Sequence, residues 1–159
     1  MIAGLFAVDE NGGMGLNGSM PWPTNKDDLK WFKNTTTNQV VVMGRNTWDS
    51  PDMPSPLPKR ENVVFTTRDI DNENVIMVSG DVCEHIRGIQ ESFPTKNVFI
   101  IGGPDLLSSS KPLLERIYIT KIFGEYNCDV NINLETFLDG FTFSQKIHLG
   151  SCIVEEWKR

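Results

Sequence analysis

Positive charge is scarce in this chain. Its 159 residues carry 15 Lys and Arg against 21 Asp and Glu, a formal charge of −6 with a pI near 4.9. That balance excludes attachment to nucleic acid through a general basic surface, while leaving room for a local basic site that takes a small anion. Cysteine is scarce too. Cys83, Cys128 and Cys152 are odd in number, widely spaced and without a C-x-x-C, which excludes a disulfide framework and fits a reducing compartment. They read as packing residues rather than reactive ones. The opening MIAGLFAV has no basic n-region and reaches Asp9 too early for a signal peptide or a membrane span. With no route to secretion visible, the sequons at Asn17 and Asn34 carry no weight. The two histidines, His85 and His148, are isolated and lack metal-ligand spacing, so no metal site is expected. There is no G-x-S-x-G elbow, no Walker loop, no repeat and no linker. These absences predict a cytoplasmic protein forming one domain over residues 1–159.

What is present is a core of ordinary size, with 39% apolar and 23% charged residues. Strand and helix patterns alternate along it. IAGLFAV predicts a buried first strand, and residues 9–23 a long Gly/Pro loop. Residues 25–36 predict a helix and QVVVMG a second strand, with a short helix from about Thr47. The stretch SPDMPSPLP is too rich in proline for regular structure. NVVFTT and NVIMVS predict two more strands, with a helix near 81–91 after the second. NVFIIGG follows as a strand, then a helix near 104–110 and a strand over 116–123. FTFSQKIH and SCIVEEWK flank Leu149-Gly150 as a terminal hairpin. The uninterrupted runs VVVM and VFII require strands covered on both faces. The fold class is therefore α/β, a mostly parallel sheet with an antiparallel end.

Glycines mark candidate sites and one decoy. Gly13-Met14-Gly15-Leu16-Asn17-Gly18 has the form G-x-G-x-x-G after a strand, the mark of a dinucleotide-binding turn. That turn must open a helix, whereas Ser-Met-Pro-Trp-Pro follows here, and no acid stands about 20 residues on. The Rossmann reading fails, and the glycines read instead as giving a mobile loop that can close over a ligand. Three strand ends are better anion sites: Gly44 with Arg45 and Thr47, Gly102-Gly103 with Pro104 at the first helical position, and VFTTR with its hydroxyls and Arg68. Any one alone is a tight strand-to-helix turn. Three at comparable positions point to an extended, phosphate-bearing ligand, a dinucleotide among the candidates.

The stretch MPWPTNKDDLKWFKN places two acids at a helix start. Thr24-x-x-Asp27 has the form of a capping box, and a first-turn acid also meets the positive end of the helix dipole, which accounts for Asp27. Asp28 differs. With 3.6 residues per turn it lies about 40° from Phe32 on the wheel, on the face that packs inward, opposite Lys26, Lys30 and Lys33. A carboxylate there is costly unless paired. The segment alone leaves two readings open, a second dipole acid partly exposed or a buried acid with a use.

Taken together, GMGLNGSMPWP, DLKWFK, VVMGRNTWDS, PLPKRENVV, FIIGG and RIYITKI occur in an order and spacing that resembles the dihydrofolate reductase family, nearly end to end. The resemblance implies a mostly parallel eight-stranded sheet with helices on both faces and a C-terminal antiparallel hairpin. It implies reduction of 7,8-dihydrofolate by NADPH, serving one-carbon and thymidylate metabolism, in a monomer that binds antifolate inhibitors. By position, Asp28 would accept two hydrogen bonds from the pterin and favour protonation at N5, with Trp22 and Thr120 beside it as catalytic partners. Phe32 and Leu57 would wall the benzoyl ring and Arg60 would hold the α-carboxylate of the tail, with Ala3, Leu5, Leu29 and Ile101 also along the substrate. Leu5, Met14, Gly15, Ser19 and Met20 would lie on the nicotinamide side, the loop carrying Met20 and Trp22 acting as a lid. Arg45, Asn46, Thr47, Thr66, Thr67 and Arg68 would surround the phosphates, and Gly102, Gly103, Pro104, Asp105 and Leu106 the rest of the cofactor, with the Gly102–Gly103 bond cis. Three departures stand out: Asp105 where a basic residue is common, Ser79 where a lysine can help, and Leu107 for a frequent tyrosine. The first two weaken the expectation of strong NADPH preference over NADH, and the longer PDMPSP alters the rim near the tail. Two competing readings are a riboflavin-pathway pyrimidine reductase of the same fold, which has no need of DLxWFK with Leu57 and Arg60, and an inactive folate- or nucleotide-binding protein, in which Asp28 and Trp22 could drift.

Overall fold

The computed structural model describes all residues, 1–159. Its strands are β1 (Ile2–Val8), β2 (Gly13–Gly15), β3 (Val40–Gly44), β4 (Glu61–Phe65), β5 (Val75–Val78), β6 (Val98–Gly102), β7 (Arg116–Ile122), β8 (Val130–Asn131), β9 (Thr142–His148) and β10 (Cys152–Lys158). Helices α1 (Lys26–Thr36), α2 (Arg45–Trp48), α3 (Val82–Ser92), α4 (Pro104–Ser110) and α5 (Leu134–Phe137) connect them. Eight strands form one sheet in the order β5-β4-β3-β6-β1-β7-β10-β9. Pairing is parallel from β5 to β7 and antiparallel for β7–β10 and β10–β9, the hairpin expected at the tail.

The continuous apolar runs are explained by two separate cores, one on each face. Along β1, Ile2, Phe6 and Val8 join the core that α3 covers through Ile86 and Ile89 and α4 through Leu106 and Leu107. Ala3 and Leu5 point the other way, into a core with Val41, Met43, Phe99 and Tyr118 that Trp31 and Phe32 of α1 help to close. Successive strand residues alternate between faces, so a strand buried on both must be apolar throughout.

The chain passes from β1 to β3, leaves a place that β6 later fills, and sets β7 on the other flank of β1. That reversal opens a crevice at the carboxyl ends of the strands. Register brings the glycine-marked ends together, Gly44 opposite Phe65 and Met43 opposite Gly102.

Some local expectations need correction. Helix α1 is capped by Asn25, whose side chain accepts from the Asp28 N–H at 2.9 Å, so the Thr24 capping box does not form. Helix α2 starts at Arg45, two residues before the expected Thr47. The loop over 9–23 contains β2, paired with β8. No local pattern announces that pair, because Gly-Met-Gly and Val-Asn have neither length nor alternation.

Candidate active site

A cleft of about 900 Å³ occupies the crevice. Most sequence-identified residues line it: Leu5, Met14, Gly15, Ser19, Met20 and Trp22 from β1 and the segment that follows it, and Asp28, Leu29 and Phe32 from α1. Arg45, Asn46, Thr47, Leu57, Arg60, Ile101, Gly102, Gly103, Pro104, Asp105, Leu106 and Thr120 complete the wall. Ala3 is wholly buried beneath Leu5 and forms no part of the lining. Leu107 is likewise 0% exposed, packed in the core beneath α4.

Asp28 is only 7% exposed. Burial pushes its carboxyl up from the ordinary value, and the adjoining Thr120 hydroxyl, itself buried, offsets part of that rise without the geometry of a full hydrogen bond. Asp27 has a different task from the one its position suggested. Its Oδ2 accepts from the Ser151 hydroxyl at 2.6 Å and the Ser151 N–H at 3.0 Å, tying α1 to the β9–β10 turn. Those bonds, the hydroxyl first, hold its carboxyl below the ordinary range. Of two adjacent acids, one is spent on structure and the other faces the cleft.

Trp22 is buried, meets Tyr126 edge-on at 6.3 Å, and packs with Ile122 and Cys152. Its Nε1 is the one buried side-chain nitrogen or oxygen without a protein partner, a donor left for an acceptor in the cleft. Cys152 beside it has its thiol pushed up to about 11, by burial first and then by the charges of Asp28 and Asp27. That keeps it an inert packing group, as expected from the sequence.

Arg60 lies over the Phe32 ring at 5.7 Å and donates from Nε to Thr36 Oγ1 at 3.1 Å. It belongs to none of the ion pairs, so a partly buried cation faces the cleft without an internal anion. A substrate carboxylate suits it.

The strand ends fit a phosphate-bearing cofactor. Helices α2 and α4 both start at glycines, Gly44 and Gly103, that supply no side-chain cap, leaving first-turn N–H groups free. Gly102 has φ +139°, and a Cβ there would stand 3.3 Å from Thr47 Oγ1, so bare backbone lines this wall. The Gly102–Gly103 bond is cis. A second pocket of about 350 Å³ adjoins, lined by Arg45, Phe65, Thr66, Thr67, Arg68, Ser79 and Gly80. Asp49, which no motif flagged, accepts from Arg45 Nε at 3.1 Å and pairs with Arg68 at 3.6 Å. Its i,i+4 spacing from Arg45 was the only signal available.

Two of the decoy glycines also serve close packing. A Cβ on Gly13 would collide with the Cys128 sulphur, and Gly15 packs on Val130, so these residues let β2 lie close against β8. Asp9, 2% exposed, anchors the same region. Its carboxylate accepts from the N–H groups of Asn11 (2.9 Å), Gly13 (2.8 Å) and Tyr126 (3.0 Å) and from the Cys128 thiol (3.5 Å). In the sequence Asp9 served only as the charge that ends the opening apolar run too early for a signal peptide or membrane span.

Fold and site together define an α/β protein whose cleft at the strand ends brings together uncapped helix starts, an arginine outside every ion pair and the buried carboxyl of Asp28. Comparison with known proteins gives the same class. The profile of the family described as dihydrofolate reductase matches residues 1–147. Dihydrofolate reductase of Drosophila melanogaster is 34% identical over 137 residues, covering 79% of this chain and 75% of that protein. The Bacillus subtilis enzyme of the same name is 35% identical over 132 residues, covering 81% and 73%. A solved dihydrofolate reductase from Enterococcus faecalis, complexed with NADP(H) and RAB-propyl, superposes with a TM-score of 0.80 at 24% identity, covering 100% of this chain and 96% of that one, a likeness of fold. The chain belongs to the dihydrofolate reductase family. No helix is long and apolar enough to cross a membrane.

Proposed function

We propose that this protein reduces 7,8-dihydrofolate to 5,6,7,8-tetrahydrofolate with NADPH, as a monomer in the cytoplasm, where its three free cysteines stay reduced. One observation carries the reading: a buried carboxyl with a raised pKa, on the floor of a cleft whose walls offer an unpaired arginine and bare strand ends. Bound NADPH supplies the hydride that is delivered to C6 of the pterin. Asp28 accepts from the pterin 2-amino group and N3–H with its two oxygens, which fixes the ring and favours a proton at N5, water being the immediate donor. Trp22 closes the lid side and offers its Nε1 donor. Leu29, Phe32 and Leu57 bound the apolar middle of the substrate, and Arg60 takes a tail carboxylate. Arg45, Thr47, Thr66, Thr67 and Arg68 hold the phosphates.

The test is loss of NADPH absorbance with dihydrofolate across pH, with hydride transfer followed in single turnover. Because the reaction needs a proton at N5, the rate falls as pH rises and less of the bound substrate is protonated, approaching about tenfold per pH unit. A flat rate between about pH 6 and 9 with chemistry limiting contradicts this mechanism. Arg60→Ala raises the KM for dihydrofolate by about tenfold to a hundredfold, the worth of one charge-assisted hydrogen bond, with kcat little changed. A large kcat loss at unchanged KM would instead place Arg60 near the chemistry.

A further inference from the structure

A carboxylate far from Asp28 stands against the one pocket that is built for an anion. That pocket, of about 350 Å³, has Arg45 and Arg68 as its cations and Thr66, Thr67 and Ser79 as its hydroxyls. Asp49 joins both cations. Its two oxygens accept from Arg45 Nε at 3.2 and 3.1 Å, and its Oδ2 lies 3.6 Å from Arg68 Nη2. The three side chains together carry a single positive charge, where the arginines alone would carry twice that. Nothing close by restores it. Ser79 and Gly80 close the pocket, and the neighbouring start of α4 adds an acid, Asp105, to the cleft wall.

Such an acid either holds an arginine in place or withdraws positive charge from a ligand, and the two roles differ in sign. The remaining bonds decide between them. Arg45 is fixed without Asp49. Its Nη1 donates to Thr66 Oγ1 at 3.3 Å and to the Arg68 carbonyl at 3.1 Å, and its side chain is only 22% exposed. Thr66 Oγ1 also accepts from the Arg68 N–H at 3.1 Å, so the bend after β4 is built around that arginine. Arg68 is the opposite case, with a side chain 68% exposed and Asp49 as its one polar partner. An exposed pair of this kind is weak, so Arg68 is free to turn to an incoming anion, but only by leaving Asp49. Asp49 itself does not leave, because its N–H is bonded to the Arg45 carbonyl at 2.9 Å at the end of α2. Its negative charge therefore stays beside the pocket whatever binds there.

NADPH and NADH differ by one phosphate, on the adenosine 2′-oxygen, and such a group carries a charge of about −1.5 to −2 at neutral pH. We propose that Asp49 is a specificity-determining residue for the cofactor: by competing for Arg45 and Arg68 it weakens the hold on that phosphate and leaves NADH a usable hydride donor. The proposal rests on the reading of the cleft as a nicotinamide cofactor site, with this pocket at the 2′-phosphate.

The experiment measures kcat/KM for NADPH and for NADH at saturating dihydrofolate, in low salt and in about 0.5 M salt. Wild type favours NADPH by only about tenfold, the worth of one charge-assisted hydrogen bond. Asp49→Asn keeps the size of the side chain and widens that preference by about threefold to tenfold in low salt, through a lower KM for NADPH, and high salt shrinks the gain. In an Arg68→Ala background the same change gains less, because one of the two cations it frees is gone. Asp139→Asn removes the same charge from the exposed chain beyond α5 and leaves the ratio as it was. Binding of nucleotides reads the pocket without turnover. Adenosine 2′,5′-bisphosphate binds Asp49→Asn more tightly than wild type, by the same factor, whereas adenosine 5′-phosphate binds both equally. An unchanged or reduced NADPH preference in Asp49→Asn overturns the proposal, a reduced one by making Asp49 the holder of Arg45. A wild-type preference beyond about a thousandfold overturns it too, since NADH is then no usable donor. No turnover with either cofactor overturns the dihydrofolate reading, and the two nucleotides then decide the role of Asp49 by themselves.

Discussion

Asp28→Asn is expected to lower hydride transfer by roughly 10²–10⁴-fold, the usual worth of a positioned acid–base group. Asparagine keeps the size of the side chain but replaces one accepting oxygen with a donor, so the paired acceptance of two ring N–H groups is lost. Asp27→Asn serves as the matched control, because that carboxylate is committed to Ser151 on the surface. Stability gives an independent reading. Asp28 has its pKa raised in the folded protein, by burial first. Such a carboxyl binds its proton more tightly folded than unfolded, so stability falls as pH rises from the unfolded value of 3.8 through the folded one. The amide introduced by Asp28→Asn does not ionise and escapes that loss. The variant should therefore be nearly inactive and yet melt above wild type at neutral pH, with the gap closing in acid. Single-turnover kinetics and a thermal scan at two pH values measure both. Near-wild-type hydride transfer in Asp28→Asn would remove Asp28 from the mechanism.

Asp9→Ala carries the largest expected cost in stability, about 2–3 kcal/mol. It strands three backbone N–H groups, that of Gly13 buried and those of Asn11 and Tyr126 half-buried, and an unsatisfied buried donor costs about 1–3 kcal/mol. Burial by itself would raise the Asp9 carboxyl, but the Gly13, Asn11 and Tyr126 N–H groups and the Cys128 thiol outweigh it and hold the pKa below 3.8. The sign then follows: the contribution is complete above the unfolded value of 3.8 and is lost as pH falls through the lower folded value. Urea unfolding at neutral pH should show the full difference between variant and wild type, and a strongly acidic buffer should narrow it. The same bonds set the base of the loop that carries Met14, Gly15, Ser19 and Met20 into the cleft. Asp9→Asn keeps one accepting oxygen for Asn11 and Gly13 and should recover part of the loss. An Asp9→Ala variant as stable as wild type at neutral pH would show that the clamp is dispensable.

The sequence was legible where its signals are local. Gly44 and Gly102 ended buried strands as read, and Arg45, Thr47 and Thr120 reached the cleft with Asp28. The misses share a cause. The Thr24 capping box lost to Asn25 because a cap is decided by which side-chain oxygen meets an N–H, and Ser, Thr and Asn all offer one. Asp49 between Arg45 and Arg68, and Asn62 beneath the Leu57–Arg60 turn, each act through partners that periodicity does not reveal.

By itself, the sequence determined the strands of the main sheet and the longer helices, that both sheet faces are covered, and that a carboxyl lies on an inward helix face. Side-chain alternation, glycine and proline punctuation and the helical repeat act within a few residues, so those features need no knowledge of the rest of the chain. Only the tertiary structure decided that Asp27 binds Ser151 while Asp28 stays free for the cleft, that Asp9 ties the Gly13 turn to Tyr126, and that Lys33 lines the cleft with Lys59 and Arg60. Each of those joins residues far apart in sequence. Such contacts form only after the core has met the entropy of closing the intervening loops, and that is a property of the whole fold rather than of any stretch within it.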